Sequence, residues 1–222
     1  DVFQDDFVNK MSIAKNNWFS EFPYGQFKDS SIIKKEEDAK NGCYAIVNAL
    51  EKESVFVDIF SNEKIKYFIE TVLGKNFQIA EFVIRKIPPI SNTKLEETYL
   101  DAHVDWRGGL SFSILLDDIK EGEGETFFYK GSQYYPPPNF SKIDKKTASN
   151  SISANGKMGT IYFWKTDCWH GRNINSNSDS TTILICHLQN QSFFQKKNSL
   201  VHNYDRIKYI YLKDCKLSNN GH

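Results

Sequence analysis

The sequence predicts a mainly β domain, a barrel or sandwich with helices packed against it. Three observations carry this expectation. Residues 1 to about 75 place apolar side chains three to four apart, as helices do. Residues 78 to about 190 break into short β-branched and aromatic runs with a period of two. The chain has 222 residues, 40% of them hydrophobic and 25% charged, which suits a single large core. A chain of this length buries roughly 70% of its unfolded surface and needs neither a disulfide nor a structural metal to fold.

In the N-terminal flank (1–75), Cys43, Ile46, Val47 and Leu50 predict a helix over residues 39–51. A second helix is expected after Ser61 as N-cap, with Ile65, Phe68, Ile69 and Val72 turned inward and Gly74 ending it. In the core (78–190), strands are predicted at 78–87, stopped by Pro88 and Pro89, and at 110–116, closed by Asp117 and Asp118. Further strands are expected at 126–129, 160–164 and 181–188. Residues 134–157 hold three consecutive prolines with many Ser, Lys and Asn and read as a long surface loop. Residues 191–222 are taken as a C-terminal extension of the same single domain, 1–222.

Lys+Arg and Asp+Glu are both 28, so the formal net charge is zero and no nucleic-acid surface is expected. No apolar run approaches the ~18 residues of a membrane span, and Asp1-Val2-Phe3 does not open a signal peptide. The missing initiator Met is read as processing or trimming. Cys43, Cys168, Cys186 and Cys215 form no CxxC pair and match no zinc spacing, so they are expected to be reduced and buried, in a cytoplasmic protein. Arginine is scarce: only Arg85, Arg107, Arg172 and Arg206 occur, which marks each as a candidate for planar, bidentate recognition.

The chemistry-bearing pattern is His103-Val104-Asp105, an HxD. In extended backbone the two side chains point the same way. His170, 67 positions downstream of His103 and just after the strand at 160–164, supplies a third ligand from across the fold. Two imidazoles and one carboxylate on an open face suit non-haem Fe(II), whereas closed zinc sites take four ligands, usually rich in Cys. The plainer alternative is a hydrogen-bonded surface pair with an unrelated His170.

The flanking blocks favour the metal site. His103-Val104-Asp105 is followed by Ser111-Phe112-Ser113-Ile114-Leu115-Leu116-Asp117-Asp118, and then by Glu123-Gly124-Glu125-Thr126-Phe127-Phe128-Tyr129-Lys130-Gly131-Ser132-Gln133. Next come Gly159-Thr160-Ile161-Tyr162-Phe163 and Trp169-His170-Gly171-Arg172. From about Val55 to Leu188 this order resembles the phytanoyl-CoA dioxygenase-like branch of the Fe(II)- and 2-oxoglutarate-dependent oxygenases. The resemblance implies a double-stranded β-helix (a cupin-like jelly-roll barrel) with helices on one side, and Fe(II) held by His103, Asp105 and His170. It also implies 2-oxoglutarate as co-substrate, consumed with dioxygen to give succinate, CO₂ and, in most such enzymes, a hydroxylated small-molecule substrate.

One departure stands out. The family usually places an arginine about eleven residues after the distal His to hold the far carboxylate of 2-oxoglutarate, and here that position is Thr181. A buried carboxylate needs a partner. Arg172 is the preferred substitute, with Thr181 adding a hydroxyl. Lys86 and Arg85 are weaker candidates because alternation sends only one of them inward, and the resemblance puts Lys86 in phase with the inward Phe82 and Ile84. Trp106, Arg107 and Trp169, adjacent to the ligands, are the candidate substrate contacts. Two other readings remain: a prolyl-hydroxylase-like peptide hydroxylase, and a jelly-roll module that holds metal without 2-oxoglutarate turnover. Oligomeric state is not predicted.

Overall fold

A computed structural model describes residues 2–26, 32–36, 39, 43–47, 49–92, 100–105, 108–134 and 150–190. Its helices are α1 (Asp5–Glu21), α2 (Ser54–Val57) and α3 (Glu63–Leu73). Its strands are β1 (Gly25–Gln26), β2 (Tyr44–Val47), β3 (Phe77–Ile87), β4 (Leu100–His103), β5 (Leu110–Leu115), β6 (Thr126–Tyr129), β7 (Ser151–Ser153), β8 (Ile161–Lys165), β9 (His170–Arg172) and β10 (Thr181–Asn190).

Eight of the strands pair as nested antiparallel couples. β6 pairs with β7, β5 with β8, β4 with β9 and β3 with β10, like one long hairpin. Ladders between β10 and β5 and between β6 and β9 roll that hairpin up. The result is a six-stranded sheet (β1-β2-β3-β10-β5-β8) and a four-stranded sheet (β4-β9-β6-β7), an arrangement consistent with a jelly roll. The expected barrel is therefore corrected to two sheets. Among the described residues no ladder joins them, and only single backbone contacts link their ends, Ile119 with Gly156 and Asp105 to Thr166.

Alternation gives the large sheet two faces. Phe82 and Ile84 of β3, Phe112 and Ile114 of β5, and Leu184, Cys186 and Leu188 of β10 turn outward against the helices. There they meet Met11 and Trp18 of α1, Phe56 of α2 and Ile65 and Ile69 of α3. The opposite face carries Ser111, Arg85, Ile183, Ile185 and His187 toward the small sheet, and the site lies on that side. α1 is pinned by Lys15, whose Nζ lies 2.6 Å from Asp117 Oδ1 just past β5 and also donates to the Leu116 carbonyl.

Several expectations change in detail. The helix at 39–51 is not formed: within that span the described residues hold β2 and a 3₁₀ turn at Ala49–Glu51. Tyr44 and Ile46 are buried and alternate with Ala45 and Val47, and the ladder to β3 outweighs an apolar spacing that was ambiguous over so short a run. α3 is capped by Asn62, not Ser61: the Asn62 side chain accepts from the Lys64 and Ile65 amides. Its buried stripe is Ile65, Ile69 and Leu73, while Phe68 and Val72 are exposed. Gly74 does end it, at φ 80°, where a side chain would be strained. The predicted loop at 134–157 contains β7, and residues 135–149 and 191–222 lie outside the described residues.

Candidate metal centre

β4 and β9 are neighbours in the small sheet, and their ladder sets His103 directly opposite His170. The strand β4 ends at His103, so Asp105 follows in irregular backbone, fixed by its amide donating to the Thr166 carbonyl (3.1 Å). His103 Nε2 lies 3.8 Å from Asp105 Oδ1, His170 Nε2 lies 3.5 Å from Asp105 Oδ2, and all three ligand atoms fall within 4.8 Å of one another. Ligand atoms about 2.1 Å from one ion stand about 3 Å apart, so a small inward shift would complete a shell.

Three features show that these residues fit a divalent cation. His103 Nδ1 lies 2.8 Å from the Asp101 carbonyl and His170 Nδ1 2.9 Å from the Cys168 carbonyl. A carbonyl only accepts, so both protons sit on Nδ1 and both Nε2 lone pairs face the centre. Burial lowers the His170 pKa from 6.5 to about 4, against the raising effect of Asp105, so its imidazole is neutral at physiological pH. Asp105 Oδ2 is buried and has no hydrogen-bond partner, a costly state for a carboxylate oxygen unless a cation joins it.

The triad opens on a small cavity of about 60 Å³. His187 lines it with Nδ1 2.6 Å from Ser111 Oγ and 3.7 Å from Asp105 Oδ2, and with Glu81 4.0 Å from its Nε2. Trp164 packs on His170 at 5.5 Å between ring centroids and completes that wall. Further in, Arg85 and Arg172 both line the cavity. Arg172 is 4% exposed, and burial together with Arg85 lowers its pKa from the usual arginine value.

The other sequence candidates lie elsewhere. Lys86 turns to the helix side, its Nζ 5.4 Å from the Phe19 ring of α1, where burial and Lys15 lower its pKa. The phase expected for β3 is thus reversed: Phe82 and Ile84 serve the helix-side core, and Arg85 is the inward member. Thr181 is buried but donates to the Glu123 carbonyl (2.7 Å) and does not line the cavity. Trp169 alternates away from His170, its amide donating to Ser132 Oγ and its ring lying edge-on to Tyr129. Cys168 points the same way, its Sγ 3.4 Å from Ser132 Oγ, with its thiol pKa raised by burial. Trp106 and Arg107 lie outside the described residues. Among the described residues, Cys43, Cys168 and Cys186 are buried and form no disulfide.

Sequence reasoning did not single out Ser111, Trp164, Glu81 or His187 as site residues. The four occupy one cross-strand row, Trp164 opposite Ser111, Ser111 opposite His187, and His187 opposite Glu81. No sequence signal marks such a row, because it exists only once the ladders are aligned. Among the described residues no helix is long and apolar enough to cross a membrane.

No protein-family model matches the chain, and no curated protein matches it. Solved structures do. EctD from S. alaskensis, crystallised with 2-oxoglutarate and 5-hydroxyectoine, superposes with a TM-score of 0.69 at 16% identity over 86% of this chain and 71% of that one. The non-heme alpha ketoglutarate dependent epimerase SnoN from nogalamycin biosynthesis gives 0.65 at 12% identity over 85% and 76%. HygX from Streptomyces hygroscopicus, with nickel and 2-oxoglutarate bound, gives 0.63 at 10% identity over 86% and 80%. At such identities the likeness establishes a shared fold. These neighbours carry iron, nickel or 2-oxoglutarate in their crystals, and this chain presents a His-Asp-His metal site.

Proposed function

We propose that this chain is an Fe(II)- and 2-oxoglutarate-dependent oxygenase of the phytanoyl-CoA dioxygenase-like branch, hydroxylating a small or carrier-linked metabolite. The observation that carries the reading is the convergence of two carbonyl-fixed imidazoles and an unpartnered carboxylate oxygen on one cavity that also holds two arginines. A divalent ion with Arg85 and Arg172 would carry two more positive charges than Asp105 and Glu81 carry negative. The 2-oxoglutarate dianion would neutralise that excess.

His103, Asp105 and His170 would hold the iron, leaving the remaining positions to co-substrate and dioxygen. The bound ion would supply dioxygen activation coupled to oxidative decarboxylation of 2-oxoglutarate. Arg172, two residues past His170 and so about 7 Å further along β9, would take the far carboxylate together with Arg85. His187 and Trp164 form the wall beside the triad and help to exclude water from it. Trp106 and Arg107, next after Asp105, are the candidate contacts for substrate. Retention of the carboxylate ligand favours hydroxylation over halogenation, in which that position would be left to halide. The presence of Arg85 and Arg172 in the cavity supports this reading over a metal module without turnover, whose motive is the missing distal arginine.

The test is an anaerobic titration of Fe(II) and then 2-oxoglutarate into metal-free protein, following the visible charge-transfer band of the chelate. The band is expected to form and to be lost in Asp105→Ala. Iron binding with no band would overturn the co-substrate assignment.

A further inference from the structure

Beyond the row that holds His187, the inward face of the large sheet continues to Gln189, two residues and so about 7 Å further along β10. Leu188 between them turns to the helix side, and Gln78 of β3 stands directly opposite Gln189. Gln189 is 1% exposed, and neither its Nε2 nor its Oε1 has a hydrogen-bond partner. Trp164, in the cavity wall against His170, repeats the pattern: its ring is buried and its indole Nε1 is unpartnered. Buried polar groups are nearly always paired, and an unmet amide costs a fold more than an apolar side chain of the same shape. These two lie on neighbouring rows of one face, at the end of the cavity away from Arg85 and Arg172.

We propose that Gln189 and Trp164 read the substrate, and that the substrate offers them an uncharged amide. This names the substrate class of the oxygenase reading above and rests on it for the reaction, while the binding itself needs no metal. A carboxamide carries an acceptor and two donors side by side, so Gln189 can take both the N–H and the C=O of a second amide. Trp164 adds a single donor for a further carbonyl oxygen. Charge points the same way. Among the described residues lining the cavity only Arg85 and Arg172 carry a fixed positive charge, and Arg85 pairs across the ladder with Ile183, four residues back from His187. The Gln189 end instead has Glu81, opposite His187, and Asp105, whose Oδ2 lies 3.7 Å from the His187 ring. A carboxylate or phosphate arriving there meets two like charges and no fixed cation, whereas a neutral amide pairs without that cost. An amide-bearing small molecule and a peptide bond share this chemistry.

The experiment is a two-dimensional proton–nitrogen NMR titration of the metal-free full chain. The probes are N-methylacetamide, the blocked dipeptide N-acetyl-alanyl-alanine methylamide, and acetate as the charged control. The Gln189 side-chain amide is identified by its loss in Gln189→Met, and the Trp164 indole by its loss in Trp164→Phe. Both resonances are expected to shift saturably with the two amides and not with acetate. Gln189→Met should weaken amide binding at least about tenfold. A dipeptide bound more than about tenfold tighter than N-methylacetamide assigns a peptide substrate. A smaller difference assigns a small amide, and either result supports the site. In urea denaturation, ligand-free Gln189→Met should be at least as stable as wild type, because it removes an unmet amide. The proposal is overturned if either resonance fails to shift saturably, which would mean that ordered water alone meets that group. It is also overturned by an equal shift with acetate, by unchanged binding in Gln189→Met, or by a loss of stability in that variant, which would show that the amide serves the fold. Amide binding with no iron charge-transfer band keeps this subsite and discards the oxygenase, and a band with no amide binding does the reverse.

Discussion

Each imidazole of the triad is set by a carbonyl only two residues away. His103 leans on the carbonyl of Asp101 and His170 on that of Cys168, both two residues upstream, so each tautomer is fixed within its own strand end. Burial of His170 has a signed consequence for stability. Its folded pKa is about 4 against an ordinary 6.5, so between those values the unfolded chain binds a proton that the folded chain refuses. Metal-free stability should therefore fall as pH drops from 6.5 toward 4, by up to about 3 kcal/mol. Urea midpoints at pH 7 and 4.5 should diverge by less in His170→Gln. Gly171, the next residue, is fixed by space: a Cβ there would stand 2.4 Å from the Leu100 carbonyl oxygen and 2.4 Å from Phe127 Cζ. Gly171→Ala should pry β9 from β4, separate His170 from His103 and weaken Fe(II) binding at least about tenfold in a titration. Both imidazoles and Asp105 were legible from the HxD and one distant His. Arg85 was ranked low because its direction depends on which face of β3 meets the helices.

Strands were more legible than helices. The runs at 78–87, 110–116, 126–129, 160–164 and 181–188 each became a strand within a residue or two, since period-two alternation with turn residues at both ends has few other solutions. The short strands β1, β2, β4, β7 and β9 carry too few residues for a period and owe their existence to their partners. The helical reading of 39–51 failed for that reason. At this scale Lys15 is the informative contact, joining α1 to the end of β5 through Asp117. Lys15→Ala should destabilise strongly, by about 3 kcal/mol, because it strands a partly buried carboxylate. The double change Lys15→Met with Asp117→Asn should recover most of the loss, as chemical denaturation would show.

Across the whole molecule, one apolar cluster runs from α1 through α2 and α3 to the outward face of the large sheet, and it carries the stability that lets the inward face remain polar. Phe112 stands at its centre, fully buried between Phe60 and Phe163 at 6.0 and 5.5 Å between ring centroids. Phe112→Ala should cost about 3–5 kcal/mol. It should lower the melting temperature by roughly 6–20 °C while leaving the Fe(II) affinity of the folded protein within about twofold, since Phe112 points away from the triad. A loss of metal binding in folded Phe112→Ala would show that the two faces are coupled through β5.

The sequence by itself determined a mainly β fold with helical cover, the order and approximate limits of its long strands, and the identity of a His-Asp-His set. Periodicity, turn residues and ligand chemistry are local properties and survive without coordinates. Only the tertiary structure decided that the strands form two sheets, that Phe82 and Ile84 serve the helices while Arg85 enters the cavity, and that Arg172 lines the same cavity. A shift of one residue in the phase of a strand exchanges its two faces, and that phase is chosen by what packs on each side. Residues 77–87 alone do not contain that choice.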